Sequence, residues 1–271
     1  MSFKENRRRY LNLKGIASRQ YAYKGPDVVQ IDITDKCNSH CSVCWIHSPL
    51  AAQNTEGQDC ELDYSAVKGL INELAAGGTK EVIFSGGGEP FLYPKVWDIL
   101  EHTQKTGLRF RLNTNFTLLD SAGIKRLAGF DKLASITISV WAGLADAYSY
   151  VHNRTSAEFN KVAENLKMLA ALRPRRLEIK LYSVVSNANY RALSSVTDPA
   201  LAILLKNRSW LIMRRPLTCL RRLMKSFCKD ASCSLFNKNL SVNPGTASKT
   251  LNSTKGHPVC SARSVTLLKA R

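Results

Sequence analysis

Two periods of apolar residues alternate along this chain, one typical of buried strands and one typical of helices. Short apolar or alternating runs predict five strands, at residues 28–34, 81–85, 108–115, 134–140 and 177–185. Apolar residues at helical spacing predict a helix between each strand and the next, at about 63–76, 94–106, 119–129 and 156–172. Gly77 and Gly78 follow the first of these helices, as is typical of a helix C-terminus.

Strands that alternate with helices at this spacing indicate repeated βα units around a parallel sheet. One half of a nucleotide-binding fold has fewer strands than the five predicted here. We therefore predict an α/β fold, a partial (β/α)6 barrel with parallel strands and an irregular or incomplete C-terminal part. In such folds the loops after the strands emerge on one side, and ligands bind there.

The charge of the chain is distributed unevenly. The net charge of +18 on its own favours a nucleic-acid partner. Residues 1–195 hold 25 Lys and Arg against 19 Asp and Glu, whereas residues 196–271 hold 14 against 2. Most of the excess, 12 of 18, therefore lies in the last part of the chain, and nucleic acid is not the partner we expect. The predicted parts are a basic N-terminal extension at 1–27, a β/α core at 28–195 and an atypical basic region at 196–271.

Three interpretations of residues 196–271 stay open. The region is a divergent extension whose basic face binds RNA, an acidic partner or a membrane surface. Alternatively, its four cysteines hold an additional metal cluster, or the region is a disordered segment produced by out-of-frame translation of a normal barrel. The third interpretation fits best, because Ser, Arg, Leu and Cys rise abruptly there while periodicity is lost and no Glu follows Glu178.

The chain has no sequence signal for insertion into or passage across a membrane. No apolar run approaches the length of a membrane span. The basic N-terminus lacks the apolar segment and cleavage site of a secretory signal. We expect a cytoplasmic protein, and in that reducing compartment clustered cysteines bind metal or catalyse rather than form disulfides.

Cys37, Cys41 and Cys44 form a CxxxCxxC motif directly after the first predicted strand. Three thiolates on one short loop can hold three corners of an iron–sulfur cube and leave the fourth iron open. The alternative is a zinc site, but a closed zinc site needs four ligands, commonly from two CxxC-like pairs. No second pair lies nearby in the sequence, so the cluster is the favoured interpretation.

Other groups suited to ligand binding follow the next strands. The glycines Gly86, Gly87 and Gly88 allow a backbone to approach a ligand closely, and Glu89 offers a carboxylate to a ligand's ammonium group. Asn115 ends the third strand and Ser139 the fourth. Because the carboxyl ends of parallel strands lie on one side of the sheet, we expect these groups to converge on the cysteine loop.

These motifs, in this order over about residues 28–190, resemble those of the radical S-adenosylmethionine (SAM) enzymes. The resemblance implies that the three cysteines bind a [4Fe–4S] cluster whose open iron is chelated by SAM. Reductive cleavage of SAM then gives methionine and a 5′-deoxyadenosyl radical that abstracts a hydrogen atom from the substrate. It also implies a low-potential electron donor of the flavodoxin or ferredoxin type. The SAM contacts it implies are Gly86, Gly87, Gly88 and Glu89 for the amino group, Ser139 and Arg154 for the carboxylate or ribose, and Asn115 for the ribose.

Residues 184–189 and the helix at 156–172 look most like the peptide- and protein-modifying branch with a SPASM or twitch extension, which implies a peptide or protein substrate. One departure is Val43, where the family usually has an aromatic residue beside the adenine. Three alternatives remain: a non-catalytic zinc protein that binds nucleic acid, an inactive truncated relative, and a methyl- or methylthio-transferring relative.

Overall fold

The structure is a computed structural model that describes residues 3–19, 22–44, 46–49, 60–172, 176–186 and 188–192, and the backbone of 210–214 and 266–267. The helices of these residues are α1 (Phe3–Ser18), α2 (Tyr64–Ala76), α3 (Val96–Lys105), α4 (Ser121–Gly129), α5 (Ala145–His152) and α6 (Ser156–Leu172). The strands are β1 (Val28–Asp32), β2 (Glu81–Ser85), β3 (Arg109–Thr114), β4 (Leu133–Ser139), β5 (Glu178–Val184), β6 (Trp210–Arg214) and β7 (Thr266–Leu267).

The strands form one open sheet in the order β6-β5-β4-β3-β2-β1-β7. Strands β1 to β6 are parallel to their neighbours, and β7 pairs antiparallel with β1. The order across the sheet from β1 to β6 thus follows the order along the chain, as consecutive βα units require. This arrangement confirms the predicted α/β fold and partial barrel.

Burial alternates along β1, β3 and β5 and separates the two faces of the sheet. On one face, aliphatic and aromatic side chains join the buried residues of the helices in one continuous core. Its fully buried members include Ile31, Phe84, Leu112, Ile138 and Leu181 of the strands, and Ile71, Ile99, Leu127 and Leu166 of the helices. The opposite face carries half-buried polar residues at the strand ends, such as Asp32, Ser85, Asn113 and Ser139.

Local signals set where several helices begin and end. The carboxylate of Asp63 accepts a hydrogen bond from the backbone N–H of Ala66 at the start of α2. Asp120 does the same with Gly123 at the start of α4. Helix α5 ends at Asn153, whose left-handed backbone (φ 51°) turns the chain toward α6.

Two helices were not predicted from the sequence. Helix α1 lies in the segment expected to be only a basic extension, and its Phe3, Leu13 and Ile16 side chains are exposed. Helix α1 therefore has no buried apolar stripe of the kind used to predict the other helices. An ion pair between Arg8 and Asp27 connects it to the turn before β1. Helix α5 is only eight residues long, too short for a clear period.

Only part of the atypical C-terminal region lies within the described residues. Strand β6 pairs in parallel with β5, which is the position of a sixth barrel strand. Residues 196–209 and 215–265 lie outside the described residues, as do Cys219, Cys228, Cys233 and Cys260. The proposed domain boundaries and the three interpretations of this region therefore stay predictions. Among the helices of the described residues, none has the length and apolar character needed to cross a bilayer.

Candidate functional site

The cysteine motif occupies the loop after β1, at the carboxyl edge of the sheet. Cys37, Cys41 and Cys44 are half-buried and unpaired by disulfides. The loop folds back on itself through a hydrogen bond from the N–H of Cys44 to the carbonyl of Cys41 (3.0 Å). A second bond, from the N–H of Ser42 to the carbonyl of Val151 (2.9 Å), connects the loop to helix α5.

Backbone and ring nitrogens lie close to the sulfurs of Cys44 and Cys41. The backbone N–H groups of Ile46 and His47 point at Cys44 Sγ, at 3.5 and 3.2 Å. The Nδ1 atom of His152 lies 3.3 Å from Cys41 Sγ. Hydrogen bonds to sulfur favour the thiolate form that binds metal.

Without a metal, however, burial favours the neutral thiols. It raises the pKa of Cys37 to about 11 and that of Cys41 to about 12, and the neighbouring sulfurs add to the rise for Cys41. Cys41 is affected by both Cys37 and Cys44, so the three thiols lie close enough to interact electrostatically. A bound cation reverses this balance, because it deprotonates its ligands as it binds.

The donor set of the loop suits a cluster better than a single zinc ion. Within the ranges that the structure describes, no three His, Cys, Asp or Glu side chains are arranged to hold one metal ion. A cube places each cysteine on a different iron, which spreads the sulfurs farther apart than the ligands of one tetrahedral zinc. Three thiols on one loop are the donor set that a [4Fe–4S] cluster with one open iron requires.

The three glycines after β2 allow two loops to lie in contact. A Cβ atom on Gly88 would lie 2.0 Å from the carbonyl oxygen of Lys36, and one on Gly87 would lie 2.0 Å from Oδ1 of Asp35. Both distances are far below van der Waals contact. Glycine is therefore required because this loop packs against the segment that leads into Cys37.

Backbone conformation gives a second reason for glycine here. Gly86 has a φ of 148°, which side-chain-bearing residues rarely adopt, and a Cβ atom there would lie 2.5 Å from Cβ of Asp32. A hydrogen bond from the N–H of Gly88 to the carbonyl of Thr34 (3.0 Å) holds the two loops together. The sequence predicted a close approach to a ligand, and the structure shows a close approach to the cysteine loop.

Glu89 lies beside this contact with its carboxylate buried. Its side chain is 3% exposed and accepts hydrogen bonds from the hydroxyl of Thr114 (2.6 Å) and the N–H of Asn115 (2.6 Å). Burial still raises the pKa of Glu89 to about 7, because desolvation outweighs these donors. A cation against this carboxylate would restore its ionised form. Its backbone N–H donates to the carbonyl of Lys36 (2.8 Å), next to the first cysteine.

Asn115 connects the end of β3 to the cysteine loop. Its amide Nδ2 donates to Oδ1 of Asn38 (2.7 Å), and the amide of Asn38 donates to the hydroxyl of Thr117 (2.9 Å). Asn38 lies between two cysteines in the sequence, and no local signal marked it as a partner of β3. The pair sets the distance between the cysteine loop and the strand that contacts Glu89.

Arg154 also reaches the cysteine loop. Its guanidinium donates to the carbonyl of Asn38 through Nη1 and pairs with Glu158 through Nη2. Its Nε is buried and makes no hydrogen bond to the described residues. Arg154 therefore does not extend into solvent, and it keeps one donor for an acceptor group.

Several other residues lie around the same edge. Ser139 ends β4, two strands from β2, and pairs in register with Tyr182 of β5. His47 contacts the carbonyl of Gly87 through Nε2 (2.9 Å), whereas His40 is exposed. Val43 is 38% exposed. The structure thus brings the cysteine loop, the glycine loop, Asn115 and Arg154 into one site, and leaves Ser139 beside it.

His152 and Asn189 also join the site. No sequence signal marked His152, and residues 184–189 were noted only for their likeness to one branch of the family, not as part of the site. His152 lies against Cys41, and burial lowers its pKa to about 3, so the ring is neutral. Asn189 donates from Nδ2 to the carbonyl of Trp141 (2.7 Å), which fixes the loop after β4. Both contacts join residues far apart in the chain, where periodicity carries no information.

Comparison with known proteins agrees with this geometry. The tungsten-containing aldehyde ferredoxin oxidoreductase cofactor-modifying protein of Pyrococcus furiosus is 26% identical over 166 residues, 60% of this chain and 45% of that protein. An S-adenosylmethionine-dependent nucleotide dehydratase of Selenomonas ruminantium is 26% identical over 172 residues, 62% of this chain and 58% of that protein. The chain therefore spans about half the length of these relatives.

A solved structure and a family model complete the comparison. Streptococcus suis SuiB, bound to the precursor peptide SuiA, superposes with a TM-score of 0.59 at 13% identity, over 76% of this chain and 43% of SuiB. That likeness shows the fold. The model of the radical SAM superfamily matches residues 31–185, which are more than half of the chain and include every residue of the site described above except Asn189. The chain belongs to the radical SAM superfamily.

Proposed function

We propose that this protein is a radical SAM enzyme that binds a [4Fe–4S] cluster through Cys37, Cys41 and Cys44. The observation that carries the proposal is the contact between the cysteine loop and the glycine loop, which places Glu89 beside the segment leading into Cys37. When bound, the cluster supplies the electron that cleaves SAM into methionine and a 5′-deoxyadenosyl radical, which abstracts hydrogen from the substrate.

The amino group of SAM is proposed to lie against the glycine loop and Glu89. The buried carboxylate of Glu89 accepts hydrogen bonds from Thr114 and Asn115, and no Lys, Arg or His of the described residues pairs with it. An amino group bound to the open iron still has N–H donors that this carboxylate can accept. The backbone of Gly86, Gly87 and Gly88 already contacts the cysteine loop, so a group bound there also lies near the cluster. This contact supports a binding site for the amino group of SAM next to the cysteine loop.

The remaining contacts to SAM are proposed from the groups that line the same edge. The free Nε of Arg154 is a donor for the carboxylate or ribose, and Ser139 offers a hydroxyl from the end of β4. Asn115 is proposed for the ribose, although its side-chain amide is already bonded to Asn38. A contact from Asn115 to SAM therefore uses its remaining hydrogen-bonding capacity or a rearranged amide.

Anaerobic reconstitution tests the proposal. The protein is expected to take up about four iron and four sulfide ions per chain, absorb broadly in the visible region, and release 5′-deoxyadenosine from SAM with dithionite. A matched variant with Cys37, Cys41 and Cys44 all replaced by alanine is expected to bind no cluster and to release no 5′-deoxyadenosine. Colourless protein with stoichiometric zinc would refute the proposal. An intact cluster without SAM cleavage would indicate an inactive relative, and methylated product would indicate a methyl-transferring one.

A peptide or protein substrate is the finer proposal. The sequences of residues 184–189 and of helix α6 resemble the peptide- and protein-modifying branch of the family, which supports this proposal. The fold shared with SuiB, whose structure holds a precursor peptide, supports it as well. A small peptide encoded beside this gene is the substrate to test first, with deuterium at its side-chain carbons. Deuterium in the released 5′-deoxyadenosine would support the proposal. If the labelled peptide transfers no deuterium, whereas deuterated nucleosides or other small molecules do, the proposal is contradicted.

The compartment and the electron donor are proposed with the enzyme. The free thiols of the cysteine loop need a reducing environment, which favours the cytosol. A flavodoxin- or ferredoxin-type protein is the proposed donor, because SAM cleavage requires a low-potential electron. Replacement of dithionite by a reduced flavodoxin tests this step, and 5′-deoxyadenosine released at a comparable rate is the expected result.

A further inference from the structure

His152 is a buried residue that lies against Cys41 and that the proposed function does not use. It ends helix α5 with 1% of its side chain exposed. Its ring lies between those of Tyr148 and Trp141, with centroid distances of 4.3 and 4.7 Å. Each ring nitrogen has a partner: Nδ1 lies 3.3 Å from Cys41 Sγ, and Nε2 lies 3.1 Å from the backbone nitrogen of Trp141.

The partner of Nε2 determines which nitrogen carries the proton. The backbone N–H of Trp141 can only donate a hydrogen bond, so Nε2 of His152 must present its lone pair. A ring with one proton then carries it on Nδ1, and Nδ1 faces the sulfur of Cys41. The hydrogen bond therefore runs from Nδ1–H of His152 to Cys41 Sγ.

The surroundings prevent His152 from turning away from the sulfur. The carbonyl of Val151, one residue earlier, accepts hydrogen bonds from both the N–H (2.9 Å) and the hydroxyl (3.3 Å) of Ser42, next to Cys41. On the other side, the carbonyl of Trp141 is held by Asn189. The donor and the sulfur are thus fixed relative to each other by bonds that do not involve the ring.

We propose that His152 is a positioning residue that donates a hydrogen bond to the Cys41 sulfur and raises the reduction potential of the bound cluster. The inference rests on the proposed function, in which Cys41 is a cluster ligand. A hydrogen bond to a ligating sulfur withdraws negative charge from it and stabilises the reduced cluster, so the potential rises. The same bond orients the sulfur toward the cluster.

Three substitutions separate this role from simple packing. His152→Asn keeps an amide donor near the place of Nδ1 and loses the acceptor for Trp141. His152→Gln keeps a polar group near the place of Nε2 and loses the donor to Cys41. His152→Phe keeps the ring between its aromatic neighbours and loses both hydrogen bonds. His102→Asn, on the exposed face of α3, is the matched control.

The first experiment uses the protein without its cluster. Long-range ¹⁵N–¹H spectra of the histidine rings, with the His152 signal assigned by its loss in His152→Asn, report which nitrogen is protonated. We expect the tautomer protonated at Nδ1. A ring protonated at Nε2, or at both nitrogens, overturns the inference whether or not the protein binds a cluster.

The second experiment measures the midpoint potential of the reconstituted cluster by redox titration, with iron content determined for each variant. The potential is expected to become more negative in His152→Gln and His152→Phe, to stay near the wild type in His152→Asn, and to be unchanged in His102→Asn. Equal potentials in all variants at full iron content overturn the tuning role and leave the proposed function intact. If His152→Phe does not fold, the comparison of the Gln and Asn variants gives the same test. Wild-type protein that binds no cluster overturns both proposals.

Discussion

Replacement of Glu89 by glutamine is expected to change how the stability of the cluster-free protein depends on pH. Burial raises the pKa of Glu89 from its ordinary 4.5 to about 7 in the folded protein. Below pH 4.5 the side chain is protonated in both the folded and unfolded states, and burial imposes no penalty for ionisation. Above pH 7 it is ionised in both states. The free energy of unfolding is then lower than at pH 4.5 by the amount that corresponds to the difference between the folded and unfolded pKa values.

The size of this loss follows from the pKa difference. A difference of about 2.5 pKa units corresponds to about 3 kcal/mol, at about 1.4 kcal/mol for each unit. Glutamine cannot ionise, so Glu89→Gln is expected to exceed the wild type in unfolding free energy by up to about 3 kcal/mol at pH 8. Near pH 4.5 the two proteins are expected to differ little. The glutamine amide must also accommodate the donors from Thr114 and Asn115, which reduces the gain.

Urea denaturation at several pH values between 4.5 and 8 measures the effect. The difference in unfolding free energy between variant and wild type should grow steadily across that range. Glu101→Gln, which removes an exposed ion pair with Arg126, is the control and should show no comparable growth. A difference between Glu89→Gln and wild type that does not vary with pH would refute the reasoning that burial dominates this carboxylate.

Three further predictions concern the site. At pH 8, SAM is expected to stabilise the wild type more than Glu89→Gln, by about 1–3 kcal/mol in unfolding free energy, because the proposed placement puts the amino group of SAM within hydrogen-bonding reach of the buried carboxylate. Equal shifts would contradict that placement. Cys44→Ala is expected to lose the reconstituted cluster while Cys60→Ala retains it, as measured by iron content; loss in both would contradict the assignment of the loop. Gly88→Ala is expected to lower the unfolding free energy by about 2 kcal/mol or more, because the new Cβ meets a carbonyl oxygen at 2.0 Å. Gly69→Ala, where nothing lies within 4 Å, should instead stabilise the protein by about 0.5–1 kcal/mol; losses of similar size at both positions would refute the packing explanation.

The parts of the fold that local patterns encode were predicted from the sequence. Strand β4 was expected at residues 134–140 and spans Leu133–Ser139, because its alternation is set by the two faces of the sheet. The helices α2, α3, α4 and α6 were also expected, since each buries an apolar stripe. Helix α1 could not be predicted in this way, because its apolar residues Phe3 and Ile16 are exposed.

The candidate site was predictable where its residues share a short motif. The spacing of Cys37, Cys41 and Cys44 indicated a metal loop, and parallel strands require the loops after β1, β2 and β3 to lie at one edge. The sequence predicted only one of the two reasons for glycine at positions 86–88. Their backbone was expected to approach a ligand, and the structure shows that Gly87 and Gly88 also leave room for the cysteine loop itself.

The sequence by itself determined the βα order of the chain, the three thiols and their place after the first strand, because periodicity and motif spacing are properties of neighbouring residues. Only the tertiary structure decided which distant groups surround those thiols. His152 and Arg154 reach the cysteine loop across 111 and 116 positions of the chain. Such contacts depend on how α5 packs after β4, and that packing is set by burial and hydrogen bonding across the whole sheet rather than by any local pattern.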